Sequence, residues 1–341
     1  MKRQNGTINF LKMASAVFIF LLHCAMYLGF PYFQGGWILV EWFYIFAGYQ
    51  VTAGVFSKRE TTEPWECTLK ILWKRISSIY PCYLLSCFLG LLVRAWAGEI
   101  TAGPLWEKLP YLSEIFMLQM TGIRTYVITD TSWFLSAMWI ALLLIVPCIH
   151  QFGKNFTRLF AFVIPVLIYG YLDAKCGYLW GPEKWLGWCM KGTLRAVSGL
   201  CLGCVSYELA SVLRERLQKP VLESALTYAA YLLIFLFMIR FDDSVLYYFI
   251  PFVFVILIAV TMAKKPGLDF PDNGLTRFLN RISMILYLNH GYWIRSVERV
   301  HPEWSLRHRL VFSAAGTAAS VFCVYVAMRI FDHWKNRRKS I

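Results

Sequence analysis

Residues 8–30 read INFLKMASAVFIFLLHCAMYLGF, an apolar run interrupted by little more than Asn9, Lys12, Ser15 and His23. As a helix it rises about 34 Å at 1.5 Å per residue, enough to cross roughly 30 Å of hydrocarbon. Its polar positions are too few to make the wetted face of a soluble helix. Working outward, comparable runs occupy 36–56, 77–97, 132–151, 157–173, 193–211, 224–240, 245–263, 279–296 and 309–332. The fifth and seventh are the shortest on this reading. The segment 111–121 (YLSEIFMLQMT) is too short to span and carries Glu114, so it is expected to be interfacial or re-entrant. The expectation is an all-α, polytopic transmembrane bundle of about ten helices with no soluble domain.

Composition agrees. Of 341 residues, 58% are hydrophobic and 16% charged, where soluble domains average about a quarter charged. No linker, low-complexity tract or repeat divides the chain, so residues 1–341 are read as a single integral-membrane domain. Lys2 and Arg3 precede the first run as in a signal peptide, but no small-residue cleavage site follows. The run reads as an uncleaved first helix.

A net charge of +14 is compatible with nucleic-acid binding, yet no such motif accompanies it. The basic residues sit in short clusters between apolar runs. Counted on alternate sides, roughly 20 Lys and Arg fall on the side of the N-terminus and about 9 on the other, which marks the first side as cytoplasmic. Both termini are then cytoplasmic, as an even number of crossings requires. The ten cysteines are scattered through apolar stretches rather than arranged as a disulfide framework. Cys201 and Cys204 form a C-x-x-C inside an apolar run with no second ligand pair. That pattern points to packing, and no metal site is expected.

Ionisable side chains inside a bilayer are costly and mark function by default. His23 lies near the outer end of the first run and Glu41 near the outer end of the second, with a short connection between them. At one depth on adjacent helices, Glu41 would orient the His23 imidazole and raise its basicity, as a general base requires, or the two would simply join the helices. Lys12 lies roughly 16 Å lower on the same helix. There it approaches the level of Lys74 and Arg75, and three cations suit phosphate groups as well as they suit anchoring at the interface. A ligand with phosphates at one face and a reactive group deep in the membrane is long and thin. An acyl group on coenzyme A has that shape.

Six segments then carry a family likeness. KMASAVFIFLLH (12–23) resembles an R-x10-H motif, with Lys12 for Arg and His23 matching. VEWFYIFAGY (40–49) resembles V-[DE]-x-F-F-x-x-S-G-[FY], with Ala47 for Ser. KRISSIYP (74–81) is similar to R-R-x-x-R-I-x-P, with Ser78 where an Arg is usual. WFLSAMW (133–139), LRAVSGLCLGC (194–204) and RISMILYLNH (281–290) follow in order. Together they resemble the acyltransferase-3 family of bacterial integral-membrane acyltransferases, almost from end to end.

The resemblance implies transfer of an acyl group, usually acetyl from cytosolic acetyl-CoA, to a hydroxyl of a cell-surface or lipid-linked carbohydrate at the bacterial cytoplasmic membrane. Acetyl-CoA or another acyl-CoA would be a co-substrate, with no bound cofactor. His23 and Glu41 would carry the chemistry, and Lys12, Lys74 and Arg75 would hold the donor. Trp133, Ser136, Arg195 and His290 would face the acceptor, with a structural role for His290 also open. Lys12 retains the charge of the family's Arg but not its bidentate fork, and Ser78 removes one cation. A transporter or flippase of a glycan intermediate is the rival reading, because polar residues lining a bundle serve that role too. The inverted repeats common in transporters are not found.

Overall fold

The first apolar run folds as α1 (Gly6–Leu28). Asn5 starts it by accepting the Ile8 N–H on its side-chain oxygen at 3.3 Å, satisfying one donor that a helix N-terminus leaves open. Gly29 ends it in the left-handed conformation, φ +73°. The computed structural model describes residues 5–100, 104–240 and 245–337. Lys2, Arg3, Arg338 and Lys339, which enter the charge tally, and residues 101–103 of the 98–131 connection lie outside the described residues.

From α1 a 3-10 turn (Gln34–Ile38) leads into α2 (Leu39–Phe56). There follow α3 (Pro64–Trp96), α4 (Leu109–Ile115), α5 (Trp133–Phe152), α6 (Ala161–Cys176), α7 (Lys191–Arg216) and α8 (Pro220–Arg240). The chain ends with α9 (Ile250–Ala263), α10 (Gly274–Asn289), α11 (Gly291–Val300) and α12 (Leu306–Arg337). Among the described residues there is no strand, only an isolated bridge between Trp185 and Met190. Eight of the described helices are long and apolar enough to cross a bilayer. The chain is an all-α, multi-pass membrane protein.

Three boundaries differ from expectation. The third helix begins at Pro64, which fits a first turn because it has no N–H to leave unpaired. Lys70, Lys74 and Arg75 therefore ride on a helix rather than in a loop. The eighth run yields α9, only about 21 Å long, preceded by a 3-10 turn at Val245–Tyr248. The ninth run breaks into α10 and α11 at His290, so that residue is not in mid-helix. As expected, 111–121 does not span. It forms α4 and a 3-10 turn at Gln119–Thr121.

The centre of the bundle is the α2–α7 seam. In α2's most apolar window 78% of residues are buried, against 22% in α6, α8 and α12, which ring the outside. Glycines permit the close approach. A Cβ at Gly48 would stand 2.8 Å from Leu200 Cα, and one at Gly203 would stand 2.5 Å from Gly48 Cα. Contacts advance together from Glu41–Arg195 to Gly48–Gly203, so the two helices run parallel.

A second seam joins α1 to α10, also parallel. Lys12 pairs with Asn280 at one level and His23 with His290 at the next. Its start is fastened by Asp269, which accepts from Thr7 at 3.1 Å and from Lys264 at 2.6 and 2.7 Å. Burial works to raise the Asp269 carboxyl, but Lys264, the Gly267 N–H and Thr7 outweigh it and hold it below the usual carboxylate range.

Candidate functional site

His23, half-buried near the Leu28 end of α1, approaches the buried His290 with Nδ1 2.6 Å from Nε2. Their rings stack at 4.8 Å. The helix break puts His290 there, because its Nδ1 lies 3.0 Å from the Leu286 carbonyl in the last turn of α10. A carbonyl only accepts, so His290 Nδ1 carries a proton and, in the neutral pair, His290 Nε2 is an acceptor. His23 Nδ1–H then donates to it. The lone pair of His23 Nε2 remains unspent. Phe20 and Tyr287 wall His290 edge-on at 6.0 and 6.2 Å.

Glu41 is not the partner of His23. Its Oε1 accepts from Arg195 Nε at 2.6 Å and its Oε2 from Tyr169 at 3.2 Å, with both members of the ion pair fully buried. Depth explains the difference. The turn at 34–38 packs Gly36 against Phe18 and Leu22, so α2 begins well below the top of α1. Midway along α2, Phe46 meets Lys12 at 5.1 Å. Counting back from Phe46 places Glu41 roughly 10 Å below His23 at 1.5 Å per residue. A short loop does not guarantee equal depth when it folds inward.

Arg195 is flanked by the Trp37 and Trp133 rings, 5.4 and 5.5 Å from the guanidinium carbon. Its Nη2 is buried without a hydrogen-bond partner among the described residues. Trp133 thus stacks on a cation and also closes over Gly192. Ser136 is buried, and its Oγ accepts the Met120 N–H at 3.0 Å. Its hydroxyl fixes a turn of the chain.

At the other end of the α1–α10 seam, Lys12 Nζ donates to Asn280 at 3.0 Å and Arg75 Nη2 to the Ala47 carbonyl at 3.3 Å. Phe46, beneath Lys12, is the neighbour of Ala47, so these two cations converge on the middle of α2. Lys74 is exposed on another face of α3 and does not join them.

The segment 128–132, which the motifs did not single out, packs against the α10–α11 break. Thr131 donates to the Tyr287 carbonyl at 2.8 Å, and the Tyr287 hydroxyl donates to the Thr131 carbonyl at 3.0 Å. Glu114 pins the segment from below. It accepts the N–H groups of Ile128 and Thr129 and the hydroxyls of Thr129 and Ser132, all within 2.8 Å. Burial pushes the Glu114 carboxyl up, with these donors acting against it. Asp130 pairs with Arg94 and Arg295, and a Cβ at Gly291 would stand 2.8 Å from Asp130 Cβ. Two signals were available in the sequence: Arg94, an unexamined cation inside the third run, and Gly291 directly after His290, a helix-weakening residue beside an intramembrane histidine.

Comparison with protein families matches residues 5–329 to the acyltransferase-3 family, described as an acyltransferase domain. Comparisons with curated proteins and with solved structures give no match. The family match takes in all six motif segments and the polar pairings built around His23, Glu41, Lys12 and Asp130. The chain therefore belongs to the acyltransferase-3 family and is a membrane acyltransferase.

Proposed function

We propose that this acyltransferase moves acetyl from acetyl-CoA to a hydroxyl of a cell-surface or lipid-linked carbohydrate, with His23 as general base. The observation that carries the reading is the proton pattern of the imidazole pair. Leu286 fixes the tautomer of His290, His290 fixes that of His23, and His23 Nε2 is left free to accept a proton. His290 takes the orienting role first expected of Glu41.

In the proposed reaction the acceptor hydroxyl gives its proton to His23 Nε2 as its oxygen attacks the thioester carbonyl carbon. The tetrahedral intermediate collapses with cleavage of the C–S bond. The imidazolium then returns its proton to the departing thiolate, and acetyl ester and free thiol leave. Lys12 and Arg75 receive the donor phosphates, with Lys74 adding a peripheral charge. The buried, unpartnered Nη2 of Arg195 is a donor suited to a substrate oxygen, and Trp133 and Trp37 hold it in place. In this reading Lys12 faces the cytosol of a bacterial cell, both termini are cytoplasmic, and the His23 pair lies toward the outer half of the bilayer.

Radiolabelled acetyl-CoA supplied to membranes bearing the protein tests this. Label should enter the glycans with the unaltered chain and disappear with His23→Ala. Equal labelling by both would remove His23 from the chemistry.

A further inference from the structure

Two arginines share the Asp130 carboxylate near the Leu28 end of α1, and they are not equivalent. Asp130 sits at φ +62°, so its side chain is held by a backbone conformation that few non-glycine residues adopt. Its Oδ2 receives Arg94 Nη2 at 2.6 Å, and its Oδ1 receives Arg295 Nη1 at 2.5 Å. Arg94 is spent. Its Nε donates to the Ile128 carbonyl at 2.8 Å, its Nη1 pairs with Glu99, and its side chain is 4% exposed. That arginine is a buried strut between α3 and the 128–132 segment.

Arg295 differs on each count. Among the described residues its one hydrogen bond runs from Nη1, leaving Nη2 and Nε–H unused there. Its side chain is 38% exposed. The guanidinium lies over the Tyr27 ring at 5.4 Å, and that ring is 6.0 Å from the His23 ring. The exposed fork therefore stands within about 11 Å of the imidazole, anchored by a buried carboxylate on one side and an aromatic face on the other. A planar guanidinium with two donors free is matched to a carboxylate or a phosphate. One sugar ring with a hydrogen bond at each end bridges such a span.

We propose that Arg295 binds an anionic group, a carboxylate or a phosphate, on the acceptor and holds it one sugar ring away from the hydroxyl presented to His23. The acceptor class is thereby an acidic carbohydrate. The inference rests on the acyl-transfer reading for its orientation toward His23, while the anion site stands on its own geometry.

The test is therefore one of binding. The full chain in detergent is heated with methyl glucuronide, its methyl ester, glucose 6-phosphate or methyl glucoside, and the ligand concentration that raises Tm is read. The acids should act at concentrations about tenfold or more below the neutral sugars. The stronger of the two acids identifies the source of the charge. Arg295→Gln should abolish the difference, whereas Arg299→Gln, one turn further along α11, should keep it. If Arg295→Gln does not fold, Arg295→Lys decides. It keeps the charge but loses the fork, so the carboxylate preference should fall more than the phosphate preference. Equal potency of the acid and its ester with the unaltered chain overturns the proposal, as does a preference that survives Arg295→Gln. An acid preference in a protein that transfers no acetyl would overturn the catalytic reading and leave the anion site standing.

Discussion

The two parallel seams of the bundle, α1–α10 and α2–α7, each carry a pair of ionisable side chains, His23–His290 and Glu41–Arg195, and the pairs differ in what they leave over. In the α2–α7 seam, Glu41 has both oxygens occupied by Arg195 and Tyr169, and glycines bring the helices together around it. In the α1–α10 seam, His23 spends one nitrogen on His290 and keeps the other. A polar pair inside a membrane does chemistry only where some bonding capacity remains. Glu41, with both oxygens taken, organises the helices and leaves over only the Arg195 Nη2 donor, whereas the unspent His23 nitrogen is an acceptor and marks where a proton can go.

Removing that nitrogen should give the largest effect. His23→Ala should lower acyl transfer by about 10²- to 10⁴-fold, the usual range for a positioned acid–base group, with Tm in detergent little changed. A variant that keeps most of its rate would make the two seams alike, both merely structural. The other seam should answer in stability instead. Glu41→Ala leaves a buried guanidinium uncompensated and should destabilise by about 3–5 kcal/mol, seen as a fall in Tm. The pair Glu41→Leu with Arg195→Met should recover most of that loss, because it removes both charges. A double variant as unstable as Glu41→Ala would show that Arg195 is held for reasons other than its partner.

The smaller effect of the orienting residue sharpens the contrast. His290→Leu removes the acceptor for His23 Nδ1–H and frees the ring to rotate. Transfer should fall by about ten- to a hundredfold, the cost of one buried hydrogen bond left unmade. His290→Gln offers an amide oxygen at a similar reach and should restore part of the rate. Equal loss in both variants would assign His290 to packing alone.

Much of this was legible in the chain. The apolar runs located the eight long apolar helices, and the six ordered segments named the family, because both depend on short-range pattern. Depth was not legible. Glu41 and His23 lie at similar distances from a short loop in sequence, yet the inward-folding turn at 34–38 separates them in depth. The partner of His23 lies 267 positions away in sequence, where spacing arguments have no reach. The α10–α11 break was hidden for a related reason: Asn289, His290 and Gly291 interrupt a run whose hydropathy alone reads as continuous.

The same limit applies at the donor end, and there the effects should be smallest. Lys74 and Arg75 are adjacent in sequence and looked equivalent, but a helix sends neighbouring side chains about 100° apart. Arg75 turns inward to the Ala47 carbonyl, beside the ring that carries Lys12, whereas Lys74 points outward. An exposed charge is screened by salt and water and contributes little to binding. Arg75→Ala should therefore raise KM for acetyl-CoA by about three- to tenfold with kcat nearly unchanged, and Lys74→Ala by about twofold or less. Adding salt should shrink the Lys74 effect further and leave most of the Arg75 effect. If instead the two variants match in size and in salt dependence, the phosphates are held by a diffuse basic surface, and the convergence of Lys12 and Arg75 on α2 has no part in donor binding.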